Sequence, residues 1–337
     1  MERDNNFIGQ SGAFLDSVER ASRAAALNRP VLVIGERGTG KELVAERLHR
    51  LSLRWDGPLV IMNCAALTET LIEAELFGHE AGAFTGATKT RVGRFEEADG
   101  GTLFLDELAT LSAGAQERLL RAVEYGEVTR IGSNRPIRVD VRIVAATNVH
   151  LPSRVEEGKF RADLLDRLAF EVVTLPPLRA RDGDVPVLAD HFGRRMASEI
   201  GWAAWPGFSP EAHAALVSYD WPGNVRELRN VVERAVYRWD DPGTAVGVIE
   251  FDPFVSPWSP ASVETPTPVV KAVPVEASVL PTDDFRGAIA AYERKVLEGA
   301  LSRNRHNQRV TAKALNLTYD QLRHAMRKNG LLDQTAG

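Results

Sequence analysis

Along the first half of the chain, short apolar runs alternate with stretches whose apolar residues recur every three or four positions. The runs are Val31-Leu32-Val33-Ile34 and residues 59–62, 102–105, 142–146 and 172–175. Each is short, and none alternates apolar with polar, which predicts strands buried on both faces. Helical spacing falls between them, as at Leu119, Leu120 and Val123 after Gln116. Strand and helix in alternation predict an α/β fold, a parallel sheet with helices on both faces. Beyond Pro177 the pattern is helical only, over about 182–200, 209–218 and 224–239, which predicts a small helical domain after the sheet.

The periodicity stops in residues 252–283, where prolines stand at 253, 257, 260, 266, 268, 274 and 281. Proline fixes φ and removes a donor, so this stretch reads as a semi-extended linker. The expected organisation is an α/β body over 1–176, a helical lid over 177–251, the linker over 252–283 and a tail domain over 284–337.

Composition narrows the classes. The chain has 337 residues, 44% hydrophobic and 26% charged, which excludes collagen-like, coiled-coil and wholly disordered readings. The single cysteine, Cys64, excludes an internal disulfide framework. Seven scattered histidines without a Cys/His cluster make a structural zinc site unexpected. Residues 1–6 do not read as a signal peptide, and no stretch approaches the roughly 18 apolar residues of a membrane span. No membrane insertion and a cytoplasmic location are therefore expected. Charge adds an asymmetry. From Phe285 onward there are 10 Lys/Arg and 4 Asp/Glu, a net of +6, which leaves 31 against 42, a net of −11, for the rest. A basic tail on an acidic body points to nucleic acid as the tail's partner; an uneven surface without meaning is the plain alternative.

Gly35-Glu36-Arg37-Gly38-Thr39-Gly40-Lys41 lies between the first strand and a helical stretch that starts near Glu42. The GxxxxGK spacing is that of a phosphate loop. Its glycines let backbone N–H groups turn toward the phosphates, and Lys41 reaches the β- and γ-phosphates of ATP. The position after the lysine usually carries a Ser or Thr that ligates Mg²⁺; here it is Glu42. Some 65 residues on, Thr102-Leu103-Phe104-Leu105-Asp106-Glu107 ends an apolar strand in two carboxylates. Asp106 would hold Mg²⁺, directly or through water, and Glu107 would polarise the attacking water. A glycine-rich turn and a strand ending in acidic residues are the plain alternatives; the pairing of the two motifs argues against both. Thr147-Asn148 follows the fourth strand, where α/β sheets bind ligands. Asn148 would sense the γ-phosphate, though such a pair also suits a helix cap.

These residues, with further segments, resemble the AAA+ activators of the alternative bacterial sigma factor, sigma-54. The segments are Gly-Glu-Arg-Gly-Thr-Gly-Lys-Glu (35–42), Glu-Leu-Phe-Gly-His-Glu (75–80), Gly-Ala-Phe-Thr-Gly-Ala (82–87) and Gly-Gly-Thr-Leu-Phe-Leu-Asp-Glu (100–107). Phe-Arg-Ala-Asp-Leu-Leu-Asp-Arg-Leu (160–168) and Trp-Pro-Gly-Asn-Val-Arg-Glu-Leu (221–228) complete the set. The resemblance spans about residues 7–252 and the tail, and Glu42 is common in that family.

The resemblance implies a P-loop AAA+ domain that hydrolyses ATP in a homo-oligomeric ring, a hexamer being expected, and remodels sigma-54 RNA polymerase. Gly82, Ala83, Phe84, Thr85, Gly86 and Ala87 would form the sigma-54 contact loop. Glycines at 82 and 86 free the backbone around Phe84 and Thr85, and an apolar ring on a loop tip is costly unless it meets a partner. Phe84 tucked into its own domain is the alternative. By the same resemblance Arg161 and Arg167 are arginine fingers for ATP bound next door, a role worth roughly 10³–10⁵ in rate. Surface ion pairs are the reading without it. Arg226 matches a second sensor arginine, and Asn63 a residue that restrains Glu107. Within the family the chain is similar to activators of phage shock genes, which implies that the negative regulator PspA docks near Trp55. On the residues alone, Trp55 suits a partner anchor and a half-buried structural role equally.

In the tail, residues 307–323 read as a Fis-type helix-turn-helix. Ala312 and Leu315 face inward, Leu317 fills the turn, Leu322 packs the second helix, and Asn316 takes the turn position that tolerates a left-handed backbone. The second helix, 318–328, would enter the major groove of enhancer DNA. Tyr319, Gln321, Arg323 and His324 are candidate base or phosphate contacts, and Arg327 and Lys328 candidate phosphate clamps. A dimerisation hairpin is the alternative. The preceding helix, with Phe285, Ile289, Tyr292, Val296 and Leu297 at helical spacing, is expected to dimerise as well as pack. The function expected is a transcription activator powered by ATP. Its rivals are an AAA+ machine of another kind, which gives no reason for residues 82–87, and a non-enzymatic DNA-binding regulator, which predicts broken ATPase residues.

Overall fold

The computed structural model describes residues 7–66, 68–254, 258, 285–303, 307–315 and 317–331. Most of the linker and Asn316 lie outside the described residues, as do the side chains of Phe285 and Ile289. The chain divides into two units, residues 1–254 and 255–337.

The first unit opens with α1 (Gly12–Ala25), β1 (Val31–Ile34), α2 (Lys41–Arg50), β2 (Leu59–Asn63), α3 (Glu69–Phe77), α4 (Arg94–Glu97) and β3 (Thr102–Asp106). After α5 (Ala113–Tyr125) come a short antiparallel pair, β4 (Glu127–Thr129) and β5 (Pro136–Arg138), and then β6 (Arg142–Thr147). The helices α6 (Leu151–Glu156) and α7 (Ala162–Leu168) lead to β7 (Glu171–Thr174). Five strands form one parallel sheet in the order β2-β3-β6-β1-β7.

Why the strands read as unbroken apolar runs is visible in the packing. Leu32, Leu103, Leu105, Ile143 and Ala145 enter one core with Leu76, Phe77, Leu119 and Leu164 of the helices. Their neighbours Val31, Val33, Phe104, Val144 and Ala146 enter a second core on the other face, with Ala21, Val44 and Leu48. A strand whose two faces are both covered has no polar face to show. Arg142, buried at the start of β6, donates to the carbonyls of Ala24 and Ala25, the last two of α1, at 2.8 Å, and to that of Arg29 in the following loop at 3.2 Å.

The lid follows as α8 (Asp184–Glu199), α9 (Pro210–Ser218) and α10 (Asn224–Tyr237). Trp221 is its fully buried centre, packed with Leu188, Phe192, Leu216, Leu228 and Val232, and its indole N–H donates to Leu216 at 2.9 Å. The second unit contains α11 (Phe285–Arg303), α12 (Gln308–Ala314) and α13 (Tyr319–Lys328) around Leu297, Leu301, Ala312, Leu322 and Met326. Leu315 and Leu317 are partly buried against this core, whereas Tyr292 of α11 is exposed. Among the described residues no helix is long and apolar enough to cross a membrane.

Candidate nucleotide site and contact loop

The phosphate loop leaves β1 at the carboxyl edge of the sheet, where Gly35 N–H donates to the carbonyl of Thr147 at 3.2 Å. Gly38 and Gly40 hold φ of 78° and 98°, a region open to glycine, and Gly40 caps the amino end of α2. Lys41 is buried, and its Nζ donates to the carbonyls of Gly35 and Glu36 at 3.0 and 3.2 Å. Burial pushes its pKa down, against the pull of Asp106 and Glu107. Thr39 is buried and donates to the carbonyl of Glu36 at 2.8 Å. The loop thus presents its backbone rather than its side chains, as an anion cradle requires.

Beside it lies a cavity of about 320 Å³ lined by Gly38–Leu43, Asp106, Arg181, Arg226 and Arg229, with an apolar wall of Phe7, Ile8, Phe14, Leu188, Phe192 and Val225. A lining that combines cationic and backbone groups with aromatic and aliphatic side chains suits a phosphorylated planar base. Arg226 and Glu42 are exposed residues on this cavity, and Arg37 is exposed as well.

Register places the carboxylates. Asn63 at the end of β2 stands opposite Asp106 at the end of β3. Asp106 accepts from the Glu107 N–H at 3.0 Å, and Glu107 holds a left-handed backbone with φ 54°. That turn leaves the Glu107 carboxylate 3.5 Å from Arg37 Nε. The bond expected between Asn63 and Glu107 is not formed in this structure: Asn63 Oδ1 instead accepts from the N–H of Ala65 at 2.8 Å. Thr147 ends β6. It is fully buried and its hydroxyl accepts from Val149 N–H at 3.2 Å, a local turn, while Asn148 stays half-buried at the strand end. For Mg²⁺, no cluster of three or more His, Cys, Asp or Glu side chains is present among the described residues. Asp106 at the strand end is one of two carboxylates on the cavity, with Glu42, and so few carboxylates fit an ion that keeps several waters and arrives with phosphates.

From the lid, sequence alone pointed to Arg226; Arg179, Arg181, Asp184 and Asn224 also reach the phosphate loop or the segment beside it. Arg179 donates to both oxygens of Glu36 at 2.6 and 2.9 Å. Asn224, fully buried with φ 54°, donates to Glu36 and to the carbonyl of Arg37, both at 3.0 Å. These bonds hold the Glu36 carboxyl down at about 2. Arg181 donates to the Thr39 carbonyl at 2.9 Å and lies 4.4 Å over the Phe14 ring; burial lowers its pKa to about 10. Asp184, at the start of α8, accepts from the N–H groups of Gln10 and Ser11 at 2.7 and 2.9 Å and so docks the segment carrying Phe7 and Ile8. Paired arginines at 179 and 181 straight after Pro176-Pro177 were the available signal.

Residues 82–87 sit at the tip of a loop closed at its base by bridges from His79 to Arg91 and Ile131. Glu80 at the base pairs with Thr90 at 2.8 Å and Arg130 at 3.1 Å, and Arg130 also grips Glu96 at 2.6 Å. At the tip, Gly82 and Gly86 hold φ of 81° and 102° in open space. Gly82 N–H donates to Ala87 at 2.7 Å; Ala83 is half-buried, Thr85 exposed and Ala87 buried. Phe84 is 40% exposed, with its ring 5.0 Å from that of His79.

Arg161 and Arg167 are both exposed. Arg161 caps the amino end of α7 and pairs with Asp163 at 2.7 Å, and Arg167 pairs with Glu124 at 2.7 Å. Neither lines the cavity of its own chain. Trp55 is 67% exposed, with Leu51 and Leu53 exposed nearby in sequence, so it is not the half-buried structural residue. In the tail, Thr318 and Gln321 form a capping box, with Gln321 Oε1 accepting from Thr318 N–H at 2.9 Å. α13 therefore starts at Tyr319, and Gln321 is occupied at its own helix end. Lys328 pairs with Glu293 at 3.0 Å and Tyr319 donates to Gln308 at 3.3 Å, whereas Arg323, His324 and Arg327 are exposed.

Comparisons with known proteins agree with this geometry. Residues 7–174 match the Sigma-54 interaction domain family and residues 179–255 the AAA+ ATPase lid domain family. The chain is 50% identical over 331 residues to the Psp operon transcriptional activator of Escherichia coli (strain K12), spanning 97% of this chain and 99% of that protein. It therefore belongs to the sigma-54-dependent transcription activators and is an ATP-binding AAA+ ATPase. Within that family it is similar over nearly its whole length to the Psp operon activator. It is also 54% identical over 229 residues to the transcriptional regulatory protein ZraR of Salmonella typhimurium, and there it spans about half of the relative, 52%. Among solved structures, NtrX from Brucella abortus in complex with ADP superposes with a TM-score of 0.68 at 31% identity, covering 97% of this chain and 70% of that one. The NtrX complex with ATP gives 0.67 at 32%, covering 96% and 70%.

Proposed function

We propose that this protein binds an enhancer through its tail and uses ATP hydrolysis in a homo-oligomeric ring, a hexamer, to remodel the closed sigma-54 RNA polymerase complex at phage shock (psp) promoters. The observation that carries the reading is the path from the nucleotide to Phe84. β2 ends at Asn63 beside Asp106, α3 follows, and α3 ends at Phe77 just before the loop stem. The ring of Phe77 stacks on Phe95 of α4 at 5.6 Å, so the stem is braced against the segment that leads into β3. A change in charge at the strand ends has a short, packed route to the exposed tip.

In this reading the backbone of residues 35–41 and Lys41 hold the β- and γ-phosphates, and Arg226 closes over them from the lid. Bound with ATP, Mg²⁺ at Asp106 would neutralise phosphate charge. Glu107 takes a proton from the attacking water once it leaves Arg37, and Asn148 contacts the γ-phosphate. Arg161 and Arg167 leave their surface pairs to complete a neighbour's site. Asn63 holds Glu107 in one nucleotide state, and water meets it in another. Trp55, with Leu53, is the docking point for PspA, and Arg323, His324 and Arg327 meet DNA.

Open-complex formation on a sigma-54 promoter tests this. Wild-type protein is expected to open the promoter with ATP and to fail with a non-hydrolysable analogue. Opening with the analogue would refute an ATP-driven mechanism.

A further inference from the structure

A phosphate loop with a carboxylate at its second position poses an electrostatic problem, since Glu36 adds negative charge to the loop that is to hold polyanion. Like charges several ångströms apart near a protein surface repel enough to weaken binding. The structure answers with two lid residues. Arg179 grips Glu36 through two bonds at 2.6 and 2.9 Å, the fork geometry that guanidinium offers a carboxylate. Asn224 adds a bond to Glu36 and another to the Arg37 carbonyl, both at 3.0 Å, and its own Oδ1 accepts from Leu178 N–H at 2.7 Å. One buried side chain therefore ties together the phosphate loop, the entry to the lid and the amino end of α10. The approach is close: a Cβ on Gly38 would lie 2.3 Å from the Gly223 carbonyl and 3.0 Å from Arg226 Cβ.

We infer that Glu36, Arg179 and Asn224 form a latch that joins the lid to the phosphate loop, neutralises the loop's own carboxylate and so sets Arg226 over the nucleotide. None of the three needs to touch the reacting atoms. Arg179 and Asn224 are positioning residues: Arg226 lies two residues beyond Asn224 on the helix that Asn224 anchors. Glu36 is the counterpart that gives them something to hold. The inference rests on nucleotide binding in this cavity, which wild-type protein checks by itself.

The test is a double-substitution cycle read by a fluorescent ATP analogue and by steady-state hydrolysis. Glu36 and Arg179 are both partly exposed, so their variants should fold. Arg179→Ala leaves the Glu36 charge with only the neutral Asn224 amide as partner and should weaken binding about tenfold, with KM rising more than kcat falls. Adding Glu36→Gln removes the offending charge and should restore affinity to within about threefold of wild type. Arg179→Lys, which keeps charge but loses the fork, should fall between. Unchanged binding in Arg179→Ala, or losses that simply add in the double variant, would overturn the latch. A wild-type protein that binds no nucleotide would overturn the nucleotide reading and the latch together.

Discussion

At the residue scale, Glu107 carries the sharpest expectation. Its left-handed backbone turns the carboxylate toward Arg37 rather than Asn63, so the group proposed as the base is engaged elsewhere in this structure. Glu107→Gln keeps shape and burial but cannot accept a proton. ATP turnover should fall by roughly 10²–10⁴ while ATP binding stays near wild type. Lost binding, or turnover intact, in a nucleotide titration with phosphate release would show that another group is the base. Asn63→Ala should instead leave binding alone and uncouple hydrolysis from partner engagement, read as ATPase that no longer tracks promoter opening.

Glu36 gives a pH expectation at the same scale. Its carboxyl lies at about 2 in the folded protein against an ordinary 4.5, with the Arg179 hydrogen bonds as the main cause. A depressed folded value means the interaction is complete above the ordinary pKa and is lost only as pH falls through the depressed one. Nucleotide affinity in the wild type should therefore show no contribution from Glu36 above about pH 5. Arg179→Ala releases the carboxyl toward its ordinary value, so that variant should bind better as pH falls from 6 to about 4.5. A flat difference between the two proteins across that range would contradict the assignment.

At the element scale, the strands and the phosphate loop were legible because both depend on local patterns. Unbroken apolar runs demand burial on two faces, and GxxxxGK between strand and helix demands a turn only glycines allow. The β4–β5 hairpin was not legible, since Glu127–Thr129 and Pro136–Arg138 are three residues each and carry no apolar run. The latch was hidden for another reason. Glu36, Arg179 and Asn224 are 143 and 188 residues apart along the chain, and only the lid's fold brings them together. Gln321 shows a local rule read too coarsely, because Thr318 and Gln321 three residues apart are a capping box. Arg142 supplies the element-scale prediction. Arg142→Leu removes the side-chain donor from the carbonyls of Ala24, Ala25 and Arg29, of which Ala24 keeps the Leu27 N–H at 3.1 Å, at about 1–3 kcal/mol for each carbonyl left buried without a donor. The melting temperature should drop by several degrees in a thermal scan; an unchanged value would mean water replaces the guanidinium.

At the scale of the whole molecule, the account requires subunits to complete one another. Arg161 and Arg167 are exposed and absent from the cavity of their own chain, so the finger role proposed for them requires contact with a neighbour. Specific ATPase activity should rise with protein concentration. Mixing Arg167→Ala with Lys41→Ala protein should recover part of the activity that each lacks alone, since some interfaces then pair an intact finger with an intact loop. Activity independent of concentration, with no recovery on mixing, would make the arginines surface residues only.

The central claim is that the nucleotide state is delivered to sigma-54 through the tip at Phe84 and Thr85. Wild type and Thr85→Ala would each be combined with sigma-54 and an ATP transition-state analogue and separated on a native gel. The account predicts a complex that forms with wild type only when the analogue is present, and none with Thr85→Ala despite intact ATP hydrolysis. Equal complexes from both proteins, or a wild-type complex without nucleotide, would contradict it.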